Sequence, residues 1–70
     1  MQEGKMFYNR QLDRMDIRFK NGSTYGGLHC GETMDAKIND TWVPTRMEMA
    51  RDWYLIGLKG LELDGMTVRI

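Results

Sequence analysis

The chain's one imidazole and one thiol are neighbours, His29 and Cys30. A thiolate activated by an imidazole is a real nucleophile, but adjacency is the wrong spacing for it. On an extended chain neighbouring side chains point to opposite faces, so His29 does not readily reach the Cys30 sulfur. Glu32 and Asp35 are the acids near enough to extend the pair into a metal site, yet the set lacks the spacing of a structural zinc centre. The expected state is a buried free thiol at Cys30 beside a surface or hydrogen-bonded His29. Both lie in Gly26-Gly27-Leu28-His29-Cys30-Gly31, and glycine-rich loops can offer backbone N–H groups to phosphate. The dinucleotide and P-loop fingerprints need a fixed glycine spacing between a strand and a helix. This segment has neither, so it reads as a bend or bulge where a strand turns a corner. Glu62 and Asp64 share a strand face, but paired-carboxylate chemistry needs a cleft between the carboxyls. Asp64 is better used in the Asp64-Gly65 turn. No enzyme activity, cofactor, metal or small-molecule substrate is expected.

The aromatic residues are the more informative set. Phe7, Tyr8, Phe19, Tyr25, Trp42, Trp53 and Tyr54 are too many for the inside of one tiny barrel. If Val43, Thr45, Met47 and Met49 face inward, Trp42 is pushed outward with Pro44 and Arg46. Trp53 and Tyr54 must divide between faces. Trp42, Arg46, Trp53, Tyr54 and Tyr25 therefore make the candidate interaction surface, able to hold a peptide, stack a nucleobase or pair with a second copy. The competing structural role has Trp42 closing the barrel end with Arg46 lying over it.

The elements that must position these residues are strands. Arg14-Met15-Asp16-Ile17-Arg18-Phe19 alternates, with Met15, Ile17 and Phe19 on one face and Arg14, Asp16 and Arg18 on the solvent face. Asn21-Gly22 turns the chain toward a strand beginning near Thr24 and Tyr25. Residues 5–8 form an earlier strand. Met34, Ala36 and Ile38 alternate inward, and Asn39-Asp40 turns tightly into residues 41–49. Pro44 cannot donate to a ladder, which puts its strand at an edge or a bulge. An apolar stretch at 53–57 follows, then strands at 61–63 and 66–70 flanking Asp64-Gly65. No 3.6-residue apolar stripe lasts three turns; residues 44–52 are the one helical competitor. The expected fold is all-β and mainly antiparallel, a small SH3-like barrel or roll of five to seven short strands. Residues 1–70 form one domain, with 1–4 as a candidate disordered end.

As an ordered set, several segments are distinctive: Met15-Asp16-Ile17-Arg18-Phe19, Tyr25-Gly26-Gly27-Leu28-His29-Cys30-Gly31 and Trp42-Val43-Pro44-Thr45-Arg46-Met47-Glu48. Asp52-Trp53-Tyr54-Leu55-Ile56-Gly57-Leu58 and Gly60-Leu61-Glu62-Leu63-Asp64-Gly65-Met66 complete it. The chain resembles a small family catalogued as domain of unknown function 5348. The resemblance implies a small bacterial β-rich domain, often a stand-alone protein, and assigns no catalytic residue.

Composition narrows the partners. Ten Lys and Arg balance ten Asp and Glu, giving a net charge of zero, which argues against nonspecific polyanion or membrane-surface binding. Zero charge also removes a barrier to self-association. No apolar run resembles a membrane span or a signal peptide, so a cytoplasmic location is expected. A core this small, without disulfide or metal, supplies only about 3–5 kcal/mol. These bounds point to a non-enzymatic interaction module that contacts a protein partner or forms a homodimer through its outer aromatic and Arg face. The alternative is a nucleic-acid-binding accessory module, carried by fold analogy.

Overall fold

The computed structural model describes residues 1–70. It is all-β, with β1 (Glu3–Asn9), β2 (Arg14–Phe19), β3 (Thr33–Ile38), β4 (Thr41–Met49), β5 (Trp53–Leu55) and β6 (Thr67–Arg69). They form one six-stranded sheet in the order β2-β1-β6-β3-β4-β5, and every pairing is antiparallel. Gln2 and Ile70 exchange two backbone hydrogen bonds of 2.7 and 2.9 Å, joining the ends of β1 and β6.

Period-two alternation builds the core. Met6, Met15, Ile17, Phe19, Met34, Ala36, Met47, Leu55 and Val68 all turn to the same side of the sheet and are buried, with Leu28 and Leu63 supplied by the connections. Gly4 lets β1 and β2 approach closely: a Cβ there would lie 2.6 Å from the Arg18 carbonyl oxygen and 2.7 Å from Ile17 Cγ2. The β3–β4 turn follows from Asn39-Asp40, whose φ angles of 48° and 64° are the doubly left-handed pair that a two-residue hairpin needs. Pro44 lies in the stretch of β4 that pairs only with β3, since β5 reaches no further than residues 47–49. Counting back from the Ile38–Thr41 pair that closes the hairpin, Asp35–Pro44 is a non-hydrogen-bonded pair. The Pro44 nitrogen thus faces the side that β5 does not reach, and its missing N–H costs no ladder bond.

The edges of the sheet approach each other through side chains. Arg14 on β2 donates to the Leu28 carbonyl (3.1 Å), and its guanidinium stands 6.0 Å from the ring centroid of Trp53 on β5. The sheet is thus rolled around its core.

Several expectations need correcting. Residues 24–32 form no strand beyond a single bridge, Arg18 to Thr24. Met49, expected inside, is 45% exposed, because the roll ends there. Residues 61–63 are irregular, and Asp64-Gly65 makes no hairpin. The turn instead docks on β1, Gly65 N–H donating to Met6 O (2.7 Å) and Met6 N–H to Met66 O (2.9 Å). Asp16 is fully buried instead of solvated, and Cys30 is exposed instead of buried.

Candidate functional site

Two surfaces on opposite sides of the sheet concentrate the side chains capable of recognition. The first is the open end of the roll. Tyr8 pairs with Met15 across β1 and β2 and shares the face of buried Met6. Trp53 pairs with Met49 and shares the face of buried Leu55. Where the core ends, residues 50–54 and 59–64 enclose an open groove of about 820 Å³, with Tyr8 and Met15 completing its lining. Leu61 is 47% and Tyr8 44% exposed there. Both charge signs line it: Arg51 and Lys59 among Asp52, Glu62 and Asp64. The Lys59 ammonium lies 5.5 Å from the Tyr54 ring centroid, and the Tyr8 hydroxyl donates to Asp13 Oδ1. That bond holds the Tyr8 proton and raises its pKa above the ordinary phenol value.

The second surface is the outer face. Trp42 on β4 stands opposite Lys37 on β3. The Arg69 guanidinium sits 4.4 Å from its ring centroid and the Lys37 ammonium 5.5 Å. Arg69 is itself held by Asp35 Oδ2 at 2.9 Å. On the neighbouring strands the Arg18 guanidinium covers Phe7 at 4.4 Å.

The sequence-derived surface is thereby divided. Trp53 and Tyr54 share the groove. Trp42 is half-buried on the outer face, and its cationic partner is Arg69 from the far end of the chain; Arg46, which the competing lid role would lay over it, is engaged by Glu48 Oε2 at 2.8 Å. Tyr25 belongs to the 24–32 connection, where its hydroxyl donates to Glu32 Oε1 (2.6 Å). The same carboxylate accepts the His29 N–H (2.7 Å). The Tyr25–Glu32 bond raises the tyrosine pKa. No three His, Cys, Asp or Glu side chains cluster as a metal site; Asp35, weighed with His29, Cys30 and Glu32, is committed to Arg69.

The residue most underestimated from sequence is Asp16. Its Oδ1 accepts the backbone N–H groups of Ile17 (2.8 Å), Gly26 (3.0 Å) and Gly27 (3.0 Å), and Oδ2 accepts from Asn9 Nδ2 (2.9 Å). Tyr25 N–H donates to Ile17 O, so a regular hairpin would return a carbonyl to the Ile17 N–H. The chain bends away at Gly26 and Gly27, with φ of 104° and 100°, and the carboxylate takes that place. Burial alone would raise the Asp16 pKa; the bonds from Asn9, Gly27, Ile17 and Gly26 outweigh it and hold the pKa below the usual carboxylate value. The Asp16–Gly26-Gly27 constellation is structural. It fixes the connection from β2 toward β3 and, through Leu28 O, the Arg14 side chain that reaches Trp53.

With both surfaces defined, relationship can be read. The chain belongs to the family described as domain of unknown function 5348, whose model matches residues 4–70. It is similar to a protein from Ruminococcus gnavus, a structural-genomics target with a crystal structure. The two are 56% identical, the match covers 97% of this chain and 99% of that one, and the TM-score is 0.88. No curated protein matches. No helix is long and apolar enough to cross a membrane.

Proposed function

We propose that this domain is a non-enzymatic interaction module that associates with a second copy of itself through the groove at the open end of the roll. The observation that carries this reading is an exposed apolar groove, containing Tyr8, Trp53 and Leu61, beside β5, the terminal strand of the sheet. A two-fold contact puts the same patch on both partners, so the patch must complement itself. The rim meets that requirement: Arg51 and Lys59 stand within the same groove as Asp52, Glu62 and Asp64. A second copy turned about a two-fold axis can set cations against anions while the apolar centres meet. Zero net charge leaves no long-range repulsion between copies. The small core supplies the motive, because association covers apolar surface that a domain of this size cannot bury alone.

Sedimentation equilibrium over a wide concentration range tests the reading. The expected result is a reversible monomer–dimer equilibrium that Leu61→Asp weakens about tenfold or more, equivalent to about 1.4 kcal/mol. A monomer at every concentration, or a dimer indifferent to Leu61→Asp, contradicts it.

A further inference from the structure

The outer face of the sheet carries a charge pattern that self-association through the groove does not use. Lys5 stands opposite Arg18 on β2 and Thr67 on β6. The β3–β6 register, Asp35 to Arg69 and Ala36 to Val68, sets Lys37 beside Thr67, and Lys37 stands opposite Trp42. One row of cross-strand neighbours therefore follows the curved sheet over five strands as Arg18, Lys5, Thr67, Lys37, Trp42. Four interstrand spacings make it about 19 Å long, measured along the sheet.

The row is electropositive on balance in a neutral protein: Glu3 and the buried Asp16 are the acids beside it, and most of the others lie elsewhere or are already engaged. Asp35 is paired with Arg69 and Glu48 with Arg46. Asp52, Glu62 and Asp64 line the groove at the open end of the roll. Lys5, Arg18, Lys20 and Lys37 form no salt bridge. Lys5, Arg18 and Lys20 surround a depression of about 230 Å³ together with Thr67 and a single acid, Glu3. Beyond Trp42, the β3–β4 turn adds Asp40. Two guanidiniums of this face also lie over aromatic rings. Arg18 lies against Phe7 and Arg69 against Trp42, both at 4.4 Å from the ring centroid. A guanidinium plane backed by an aromatic ring on one side presents its other side as a flat, cationic platform. Such planes stack unpaired bases.

We infer that this face binds single-stranded nucleic acid. Phosphates lie along Lys5, Arg18, Lys20 and Lys37, and bases stack on the guanidinium planes of Arg18 and Arg69. A single strand fits better than a duplex, because the face is a sheet surface with no protruding helix or ribbon to enter a major groove. Its length suits about four nucleotides, the low end of what small barrel modules cover. Polymers of acidic residues match the charges but offer no bases to the stacked platforms.

The test is fluorescence anisotropy with short labelled oligothymidylate and oligouridylate, beginning at low salt. Binding is expected, with log affinity falling against log salt at a slope of about −2 to −3, as for three or four phosphates on a single strand. The double variant Lys5→Gln, Lys37→Gln, its fold checked by a nitrogen–proton NMR spectrum, is expected to bind at least about tenfold more weakly. Leu61→Asp is expected to bind as the parent does, which separates this surface from the groove. In the NMR spectrum the Arg18 and Arg69 side-chain Nε–H signals are expected to move. Absence of binding at low salt, indifference to the double variant, equal affinity for a blunt duplex, or equal competition by polyglutamate would each overturn the inference.

Discussion

Asp16 brings a negative charge inside the protein with no cation paired to it; four N–H donors compensate instead. Asp16→Ala leaves those donors unsatisfied and is expected to cost about 3–5 kcal/mol, comparable to the whole stability of a domain this size. Asp16→Asn keeps an acceptor but sets an amide against Asn9 Nδ2. Asn9 cannot simply flip, because its Oδ1 already accepts from Gln11 and Leu12 N–H. A cost of about 2–3 kcal/mol is expected from urea unfolding. The pH dependence has a definite sign. A carboxyl whose folded pKa lies below its unfolded value stabilises fully above about pH 4 and loses that contribution as pH falls through the folded pKa. Urea midpoints should therefore decline below about pH 4 in the parent and decline less in Asp16→Asn. Gly27 answers Asp16 from the loop. At φ 100°, a Cβ would lie 2.8 Å from Arg14 Cδ and 3.3 Å from Leu12 Cδ1. Gly27→Ala is expected to lose about 1–3 kcal/mol by the same measurement.

At the scale of elements, local signals were readable and remote ones were not. The alternation in β2 and β3 placed Met15, Ile17, Phe19, Met34 and Ala36 inside, and Asn39-Asp40 marked its hairpin, because each depends on a few adjacent residues. Asp16 sits on a strand's polar face by alternation, and only a bend ten residues later covers it. Asp64-Gly65 has hairpin chemistry, yet its partner is Met6 on β1, across most of the chain. Trp42 was expected outside, and it is. Its cover comes from β6, which meets β3 only after the sheet order is known. Of the candidate surface, the Trp53–Tyr54 pair stayed together because it is contiguous. Trp42 and Arg46 stay on the outer face of β4 but take different partners, Arg69 from β6 and Glu48 from β4 itself, and Tyr25 turns to Glu32 within its own connection. One element offers a gain: Asp40 pays the left-handed penalty at the second turn position, where Gly is preferred. Asp40→Gly is expected to raise stability by about 0.5–1 kcal/mol in thermal or urea unfolding.

For the molecule as a whole, the sheet separates two kinds of surface that composition averages to zero charge. The open end joins apolar side chains to a rim of both signs, suited to a like partner. The outer face gathers the unpaired cations Lys5, Arg18, Lys20 and Lys37 beside Phe7 and Trp42, the arrangement from which single-stranded nucleic-acid binding is inferred. Each surface holds one tryptophan, Trp53 in the groove and Trp42 outside. A dilution series of nitrogen–proton NMR spectra on the labelled protein reads both at once. Self-association through the groove predicts that the Trp53 indole signal shifts and broadens with rising concentration while the Trp42 signal stays in place. Movement of Trp42 alone, or two indole signals unchanged at every concentration, would contradict it.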